Sequence, residues 1–366
     1  MTVNVNYPGV YISESDRSGV FVSQGNIIIP LFISFGSRYP SNKGILCFDN
    51  RQELDNYGVH YGYAYYNSLS AWFAAGGGKC YLAQTGDIET AVQKYDEINL
   101  IVSAGFAGYQ SYNHDMDSQA AVITAVDNLA ASGKPVFALL DGPQRVITSS
   151  DSAEVIMKDF SATPHAAVFY PWCRSDSVEF LAPSIVVALA IVKNDSIRGV
   201  WKAPCNIAIN GITSIYSVTD ELQGKFNQGK VLNMLRTFPD TGTVLWGART
   251  LEDSDNWRYI PVRRLFNMVD TDIKKLLRKL ISEPNSQPTW QRAKSIVDNY
   301  LHRLWQQGAL VGNTPEYAWF TAIGKDTTMT DDDIYQGKLV IKIGLAAVRP
   351  AEFIILQVSQ DISQYI

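Results

Sequence analysis

The sequence predicts an α/β domain followed by a smaller α+β domain, with a strand-like arm at each end of the chain. Three observations carry that prediction. From Ile27 to about Val200, short apolar runs alternate with helix-length amphipathic segments, the rhythm of a largely parallel sheet covered by helices. After about Gly211 the texture shifts to long charged helices and aromatic, Arg-rich loops. Both ends carry β-forming segments that a compact domain does not need, residues 6–15 and 351–362. The resulting division is 1–18 for the N-terminal arm, 19–210 for the α/β domain, 211–350 for the C-terminal domain and 351–366 for the C-terminal arm.

In the N-terminal arm, "NYPGVYISES" combines β-formers with Pro8-Gly9, and the polar "SDRSG" after it reads as a flexible joint. The strands expected in the α/β domain are "IIIPLFIS" (27–34), "KCYLAQT" (79–85), "INLIVSAG" (98–105), "KPVFALLDG" (134–142) and "HAAVFYPW" (165–172). Helices are expected over 66–77 and 117–133, where Gly76 and Gly133 are placed to end them in a left-handed cap. A further apolar helix begins at Pro183, where a missing N–H costs nothing. In the C-terminal domain, a helix over 262–283 sets Leu265, Val269, Ile273, Leu276 and Leu280 on one face. Arg263, Arg264, Lys274, Lys275, Arg278 and Lys279 fall on the other. A second helix, 289–308, has Thr289 as its expected N-cap, a stripe of Trp290, Val297, Leu301 and Leu304, and a stop at Gly308. Two strands, 337–348 and 351–362, close the chain around Arg349-Pro350.

Composition narrows the function classes. The 366 residues are 46% apolar and 18% charged, a globular composition with length enough for two cores. Thirty-one Lys plus Arg against 36 Asp plus Glu give a net charge of −5, so no general basic field exists to hold nucleic acid or an anionic membrane. Cys47, Cys80, Cys173 and Cys205 are scattered and follow no signal peptide, which predicts free thiols in a reducing compartment. No window of about 20 residues is uniformly apolar. A soluble protein made in the cytoplasm is expected, and the sequon at Asn194 is read as chance.

Catalytic signals are thin. "AAGGGKC" has Phe73 where a phosphate loop needs its first Gly and Cys80 where it needs a hydroxyl, and it follows a helix and precedes a strand, the reverse of the required order. No G-x-S-x-G elbow is present, and His60, His114, His165 and His302 suit surface or capping roles. Asp141, at the end of a strand, stands where an α/β active-site carboxylate can lie, and a turn residue before Gly142-Pro143 is the plainer role. Thiols and imidazoles are never spaced as metal-ligand pairs, and no cofactor is expected. "MTDDDIYQG" reads as a helix start with Thr330 as N-cap and Asp333 closing a capping box. Residues 248–264 cluster Glu252, Asp253 and Asp255 with Arg249, Arg258, Arg263 and Arg264, which fits an acid pair for catalysis or, with no base, metal or phosphate loop beside it, the plainer interlocking salt-bridge loop. A cytoplasmic hydrolase using Asp141 and a histidine is the enzyme alternative.

An apolar strand at either end leaves backbone groups that another chain can pair with, and a heterologous contact of this kind repeats into an open helical array. A hairpin folded back on its own domain fits the spacing equally well.

Five stretches, "YPGVYISE", "LSAWFAAGGGKCYLA", "VLWGARTLEDSDNWRYIPVRRLFN", "EPNSQPTWQRAKSIVDNYLHRLWQQGAL" and "GLAAVRPAEFIILQVSQDI", together resemble a contractile tail sheath protein. The resemblance is nearest to sheath subunits of extracellular contractile injection systems, the antifeeding-prophage and Photorhabdus virulence cassette kind. It covers nearly the whole chain and is weakest over 106–163. It implies a subtilisin-like α/β middle domain without protease activity, a C-terminal sheath domain, and arms that exchange β-strands with neighbouring subunits. It also implies stacked hexameric rings around an inner tube protein, baseplate and tail-terminator partners, and contraction that drives the tube through a target membrane. Assembly in the bacterial cytoplasm and release in a phage tail-like particle follow from the same resemblance. The full-length match favours a trunk subunit over a baseplate-proximal one.

Carried onto this sequence, the exchanged arms place Tyr7, Val10, Tyr11 and Ile12 at one contact and Phe353, Ile354, Ile355, Leu356, Gln357 and Val358 at the other. The basic face of Lys274, Lys275, Arg278 and Lys279 suits an acidic stripe on the tube, or a solvated helix face.

Overall fold

The structure, a computed structural model, describes residues 28–34, 44–57, 64–104, 112–176 and 178–352. The first half builds one sheet and its covering helices in the order β1 (Pro30–Ser34), β2 (Leu46–Phe48), α1 (Arg51–Asn56), α2 (Ala64–Ala74), β3 (Cys80–Gln84), α3 (Ile88–Lys94), β4 (Leu100–Val102), α4 (Tyr112–Ala131), β5 (Phe137–Asp141), α5 (Ala153–Met157) and β6 (Ala166–Tyr170). The five strands expected here are all present, shortened at their ends. Gly76 and Gly133 end α2 and α4 with φ of 84° and 77°, the left-handed conformation their positions call for.

Next come β7 (Cys173–Ser175), α6 (Pro183–Arg198), β8 (Ile212–Ser214), α7 (Asp220–Lys225), β9 (Leu232–Phe238) and β10 (Gly242–Leu245). The main sheet has eight strands in the order β10-β9-β6-β5-β4-β1-β3-β2. Its interior pairings are parallel, and the two edge strands, β2 and β10, run antiparallel to their neighbours. The sheet therefore does not stop at the change of texture near Gly211. β9 pairs with β6, Val168 opposite Leu232, and carries the sheet on to Leu245. The texture changes earlier because helical crossovers give way to loops and the small β7–β8 ladder, which leave no periodic signal to read.

Alternation along each parallel strand splits the core into two layers. Phe32, Leu139, Ala167 and Phe169 join α2 and α6 on one face, with Leu69, Trp72 and Ile185. Leu31, Ile33, Ala138, Leu140 and Val168 meet α3, α4 and α5 on the other, with Val92, Val126 and Ile156. Ile185 to Ala190 of α6 are buried nearly all round, which its unbroken apolar sequence requires.

The chain then forms α8 (Ile260–Leu277), α9 (Gln287–Gln306), α10 (Pro315–Ala318), β11 (Trp319–Ile323), α11 (Asp331–Tyr335) and β12 (Ile341–Leu345). A third core joins Leu265, Ile273, Val297, Leu301 and Leu304 to the inner face of the β11–β12 ladder. Two local expectations change. Ser286, not Thr289, is the N-cap of α9, because Pro288 is tolerated in the first turn and Thr289 is buried beneath it. Helix α8 ends at Leu277 and continues as a single 3-10 turn, Arg278–Leu280. The Thr330–Asp333 capping box is formed as expected. Of the closing strand, only residues 351–352 are described, and they are not in a strand; the rest of both arms lies outside the described residues.

Candidate functional site

Asp141 ends β5 and is 1% exposed. Its Oδ1 accepts the Ser184 N–H at 2.7 Å and its Oδ2 the Ser184 hydroxyl at 3.1 Å, so its carboxylate serves the open first turn of α6 rather than a turn of its own. Gln119 clamps the Asp141 backbone from α4, donating to its carbonyl at 2.6 Å and accepting its N–H at 2.8 Å. His165 opens β6 opposite the start of β5, whereas Asp141 pairs with Phe169; four strand residues, roughly 13 Å, separate the two levels. His302 lies in the third core's neighbourhood against Trp305 and Trp319. The hydrolase pairing of Asp141 with either of these histidines is not formed. His60 and the His114 side chain lie outside the description.

The Gly-rich turn after α2 closes over Trp72, whose indole N–H donates to Gly78 O at 2.7 Å. Among the described residues no group of His, Cys, Asp and Glu could hold a metal ion, and no helix is long and apolar enough to cross a membrane. The four cysteines are free thiols. Burial pushes Cys173 up to about 12 and raises Cys80 further, which keeps both protonated and unreactive.

The charged residues of 248–264 divide their work. Arg258 pairs with Asp253 at 2.7 Å and with Asp255 at 3.4 Å, the part of the salt-bridge loop that forms locally. Arg263 and Arg264, expected on a polar face, are 1% and 6% exposed. Helix α8 is covered by α9 on one side and by the sheet domain on the other, so its polar face looks into a junction. Arg263 lies over the Trp257 ring, 4.3 Å from its centroid, and donates to Asn267 at 2.8 Å. Arg264 forks onto Asp195 of α6 at 2.6 and 3.2 Å. Arg249 pairs with Glu352, at the root of the C-terminal arm.

The basic stripe is thinner than its four residues suggest. Lys274 is drawn inward, donating to Asp270 of its own helix at 2.6 Å and to the Gly133 carbonyl at the end of α4. Lys275, Arg278 and Lys279 are exposed. Surface apolar groups that the sequence reading passed over lie nearby in the chain. Tyr317 in α10 is 79% exposed, and Phe320 on the outer side of β11 is 54% exposed. The alternation in "WFTAI" carried that signal: Trp319 and Ile323 turn inward, which sends an equally apolar Phe320 out.

The polar groups at Asp141, Arg249, Arg258, Arg263 and Arg264 thus hold the chain's own fold. Residues 252–361 match the family model for the phage tail sheath C-terminal domain. The whole chain is similar to solved sheath assemblies. It is 42% identical to a chain of the PVC sheath complex of an extracellular contractile injection system in the contracted state, covering 99% of this chain and 100% of that one, with a TM-score of 0.82. It is 52% identical to a chain of the contracted anti-feeding prophage baseplate, over 97% and 99% of the two chains, with a TM-score of 0.82. It is 37% identical to a chain of the contracted helical sheath of the anti-feeding prophage, over 98% and 100%, with a TM-score of 0.74. No curated protein matches. Identity of this level over full length decides the matter: the chain belongs to the sheath protein family of extracellular contractile injection systems and is a structural subunit of a contractile sheath.

Proposed function

We propose that the subunit polymerises into stacked hexameric rings around an inner tube protein, and that compaction of the rings drives the tube through a target membrane. The observation that carries this reading is the full-length match to chains solved within contracted sheath and baseplate assemblies. Baseplate and tail-terminator proteins bound the polymer at its ends. The particle is assembled in the bacterial cytoplasm and acts outside it. The division of the chain at residues 18, 210 and 350, with a subtilisin-like middle domain, belongs to the same proposal, with the first sheet extended to Leu245.

Neighbouring subunits are linked by strand exchange, Tyr7, Val10, Tyr11 and Ile12 in one arm and Phe353 to Val358 in the other. The two-stranded β11–β12 ladder supports this. Two strands alone are marginal, and an edge beside an exposed Phe320 offers backbone and apolar surface to an incoming strand. Lys275, Arg278 and Lys279 face an acidic stripe on the tube, with Lys274 as a partial contributor. Reversal of the three exposed charges is expected to loosen sheath from tube at moderate salt, and unchanged co-sedimentation would refute it.

Electron microscopy of the full chain beside a chain lacking residues 353–366 tests the main reading. Hollow tubes from the first and small particles from the second are expected. Discrete small particles from both would overturn polymerisation. One comparison favours a second reading of position: one chain of the anti-feeding prophage baseplate is 52% identical, whereas another baseplate chain is 36% and the helical-sheath chain 37% identical. A place near the baseplate predicts that antibody labels one end of the particle, whereas a trunk subunit labels its length.

A further inference from the structure

Glu352 stands at the root of the proposed C-terminal arm, and its carboxylate is held by two side chains of the body. The chain reaches it from β12, which belongs to the third core. The ladder ends at Leu345; Ala346 and Val348 still donate to Ala318 and Ala309, and residues 348–352 then enter no strand. Glu352 next meets Arg249, which follows β10 and is hydrogen-bonded to the main sheet. The Arg249 N–H donates to the Asn233 side chain and its carbonyl accepts from it, both at 2.8 Å, and Asn233 is a buried residue of β9. Each nitrogen of the guanidinium donates at this corner. Its Nε reaches both Glu352 oxygens at 3.0 and 3.1 Å, Nη2 binds Oε2, and Nη1 donates to the Asn227 carbonyl at 2.9 Å. The Tyr259 hydroxyl adds a longer contact to the same Oε2 at 3.4 Å. The two side chains are 10% and 20% exposed, so water and salt screen the pair little.

We infer that the Arg249–Glu352 pair is a positioning clasp, which ties the root of the C-terminal arm to the main sheet and so fixes the direction in which the arm departs toward a second copy of this chain. The inference rests on the proposal that the arm is exchanged. Backbone pairing with a neighbour requires the arm to arrive in register, and an arm swinging from Val348 would search a far larger volume than one aimed from Glu352. Fixing its origin removes part of the ordering cost of each contact before the contact forms. A forked Arg–carboxylate pair suits the task, because it sets angle as well as distance. Nothing in residues 344–352 alone discloses the pairing, since Arg249 lies 103 positions away.

The test compares the full chain with E352Q, E352D and a chain lacking residues 353–366. Hydrogen exchange of the segment 346–352 reads the clasp, and electron microscopy counts the tubes. E352Q keeps the shape of the side chain and loses the charge. It is expected to exchange at least tenfold faster over 346–352 and to yield at least tenfold fewer tubes, with the main sheet's exchange unchanged. E352D keeps the charge at a shorter reach and should fall between. Should E352Q fail to fold, R249K, which keeps the charge and loses the fork, is read the same way. Wild-type tube yield from E352Q, alongside loss of tubes on deletion of the arm, would overturn the clasp while leaving strand exchange standing. Wild-type tube yield from the deletion would overturn strand exchange itself and the clasp with it.

Discussion

The buried pair between Arg264 of α8 and Asp195 of α6 joins the third core to the main sheet, and its removal has a calculable consequence. The side chains are 5% and 3% exposed, and the fork closes at 2.6 and 3.2 Å. Asp195 also accepts from Asn194 at 3.2 Å, and Asn194 in turn donates to the carbonyls of Gly199 and Lys202 after the helix. Two unit charges about 4 Å apart attract by roughly 4 kcal/mol at an effective dielectric constant near 20. Deleting one partner forfeits this and strands the other charge away from water, a loss of about 3–5 kcal/mol. Against a total stability of about 5–15 kcal/mol, either R264M or D195N is a severe lesion. The double variant strands neither charge, so the two effects should fall short of additive by about 2–3 kcal/mol. Urea unfolding of unassembled subunits, followed by tryptophan fluorescence and by exchange of main-sheet amides, measures the cycle. The wild type should show the two probes moving together, and each single variant should let the third core unfold first. Additivity within about 0.5 kcal/mol, or single losses under about 1 kcal/mol, would refute the account of α8 as welded to the sheet by charge.

Three smaller perturbations follow from local geometry. Thr330→Ala removes the hydroxyl that accepts the Asp333 N–H at 3.2 Å and should lower stability by about 1 kcal/mol in thermal denaturation. Gly312 has φ 142°, and a Cβ there would sit 2.9 Å from Ala318 N and 3.0 Å from the Tyr317 carbonyl carbon, backbone atoms that cannot step aside. Gly312→Ala should therefore cost about 2 kcal/mol by urea unfolding. The Cys173 thiol, pushed up to about 12 by burial, stays protonated in the fold while the unfolded thiol ionises near 8.5, so stability falls as pH rises through that window. Its share at pH 10 is about 2 kcal/mol, and Cys173→Ala should flatten the slope of stability between pH 8 and pH 10 by that amount.

What the sequence disclosed was what periodicity encodes. The five strands before Ile185 are marked by apolar runs, and the helices α2, α4, α6, α8 and α9 by apolar spacing and by a Gly or Pro near an end. β9 was not legible as part of the first sheet. Its pairing with β6 spans more than 60 residues of loop and helix, and parallel pairing leaves no turn signature between partners. The charged residues were legible as types and not as pairs. Arg263 and Arg264 occupy polar-face positions on a helical wheel, yet the wheel cannot say that a second domain covers that face. Arg249 has acids three to six positions away, and finds its partner at Glu352 instead. Phe320 was recoverable, since a five-residue strand with apolar residues on both faces needs a cover on each.

In an open α/β sheet ligands bind beyond the carboxyl ends of the strands, and an enzyme of this fold would act there. Among the described residues, the polar groups at that end of β4 and β5 serve one another. Asp141 holds Ser184; the Ser184 hydroxyl accepts the Ala104 N–H at 3.2 Å while donating to Asp141, and Ser68 donates to the Ala104 carbonyl at 2.8 Å. Ala104 is held at φ 60°, a left-handed conformation that this clamp sustains from both sides. Asp141→Asn puts an amide where Oδ2 accepts, so the Ser184 proton loses its acceptor and the N-terminus of α6 loses its negative charge. Hydrogen bonds to charged groups contribute about 1.5–3 kcal/mol each, and a loss of about 2–3 kcal/mol is expected in denaturant unfolding, with the start of α6 exchanging hydrogen faster. A catalytic carboxylate would behave in the opposite way, because active-site charges are commonly held at a cost in stability, and its neutral variant would be as stable as the parent or more so. Unchanged or raised stability in Asp141→Asn would therefore return Asp141 to the list of groups reserved for chemistry.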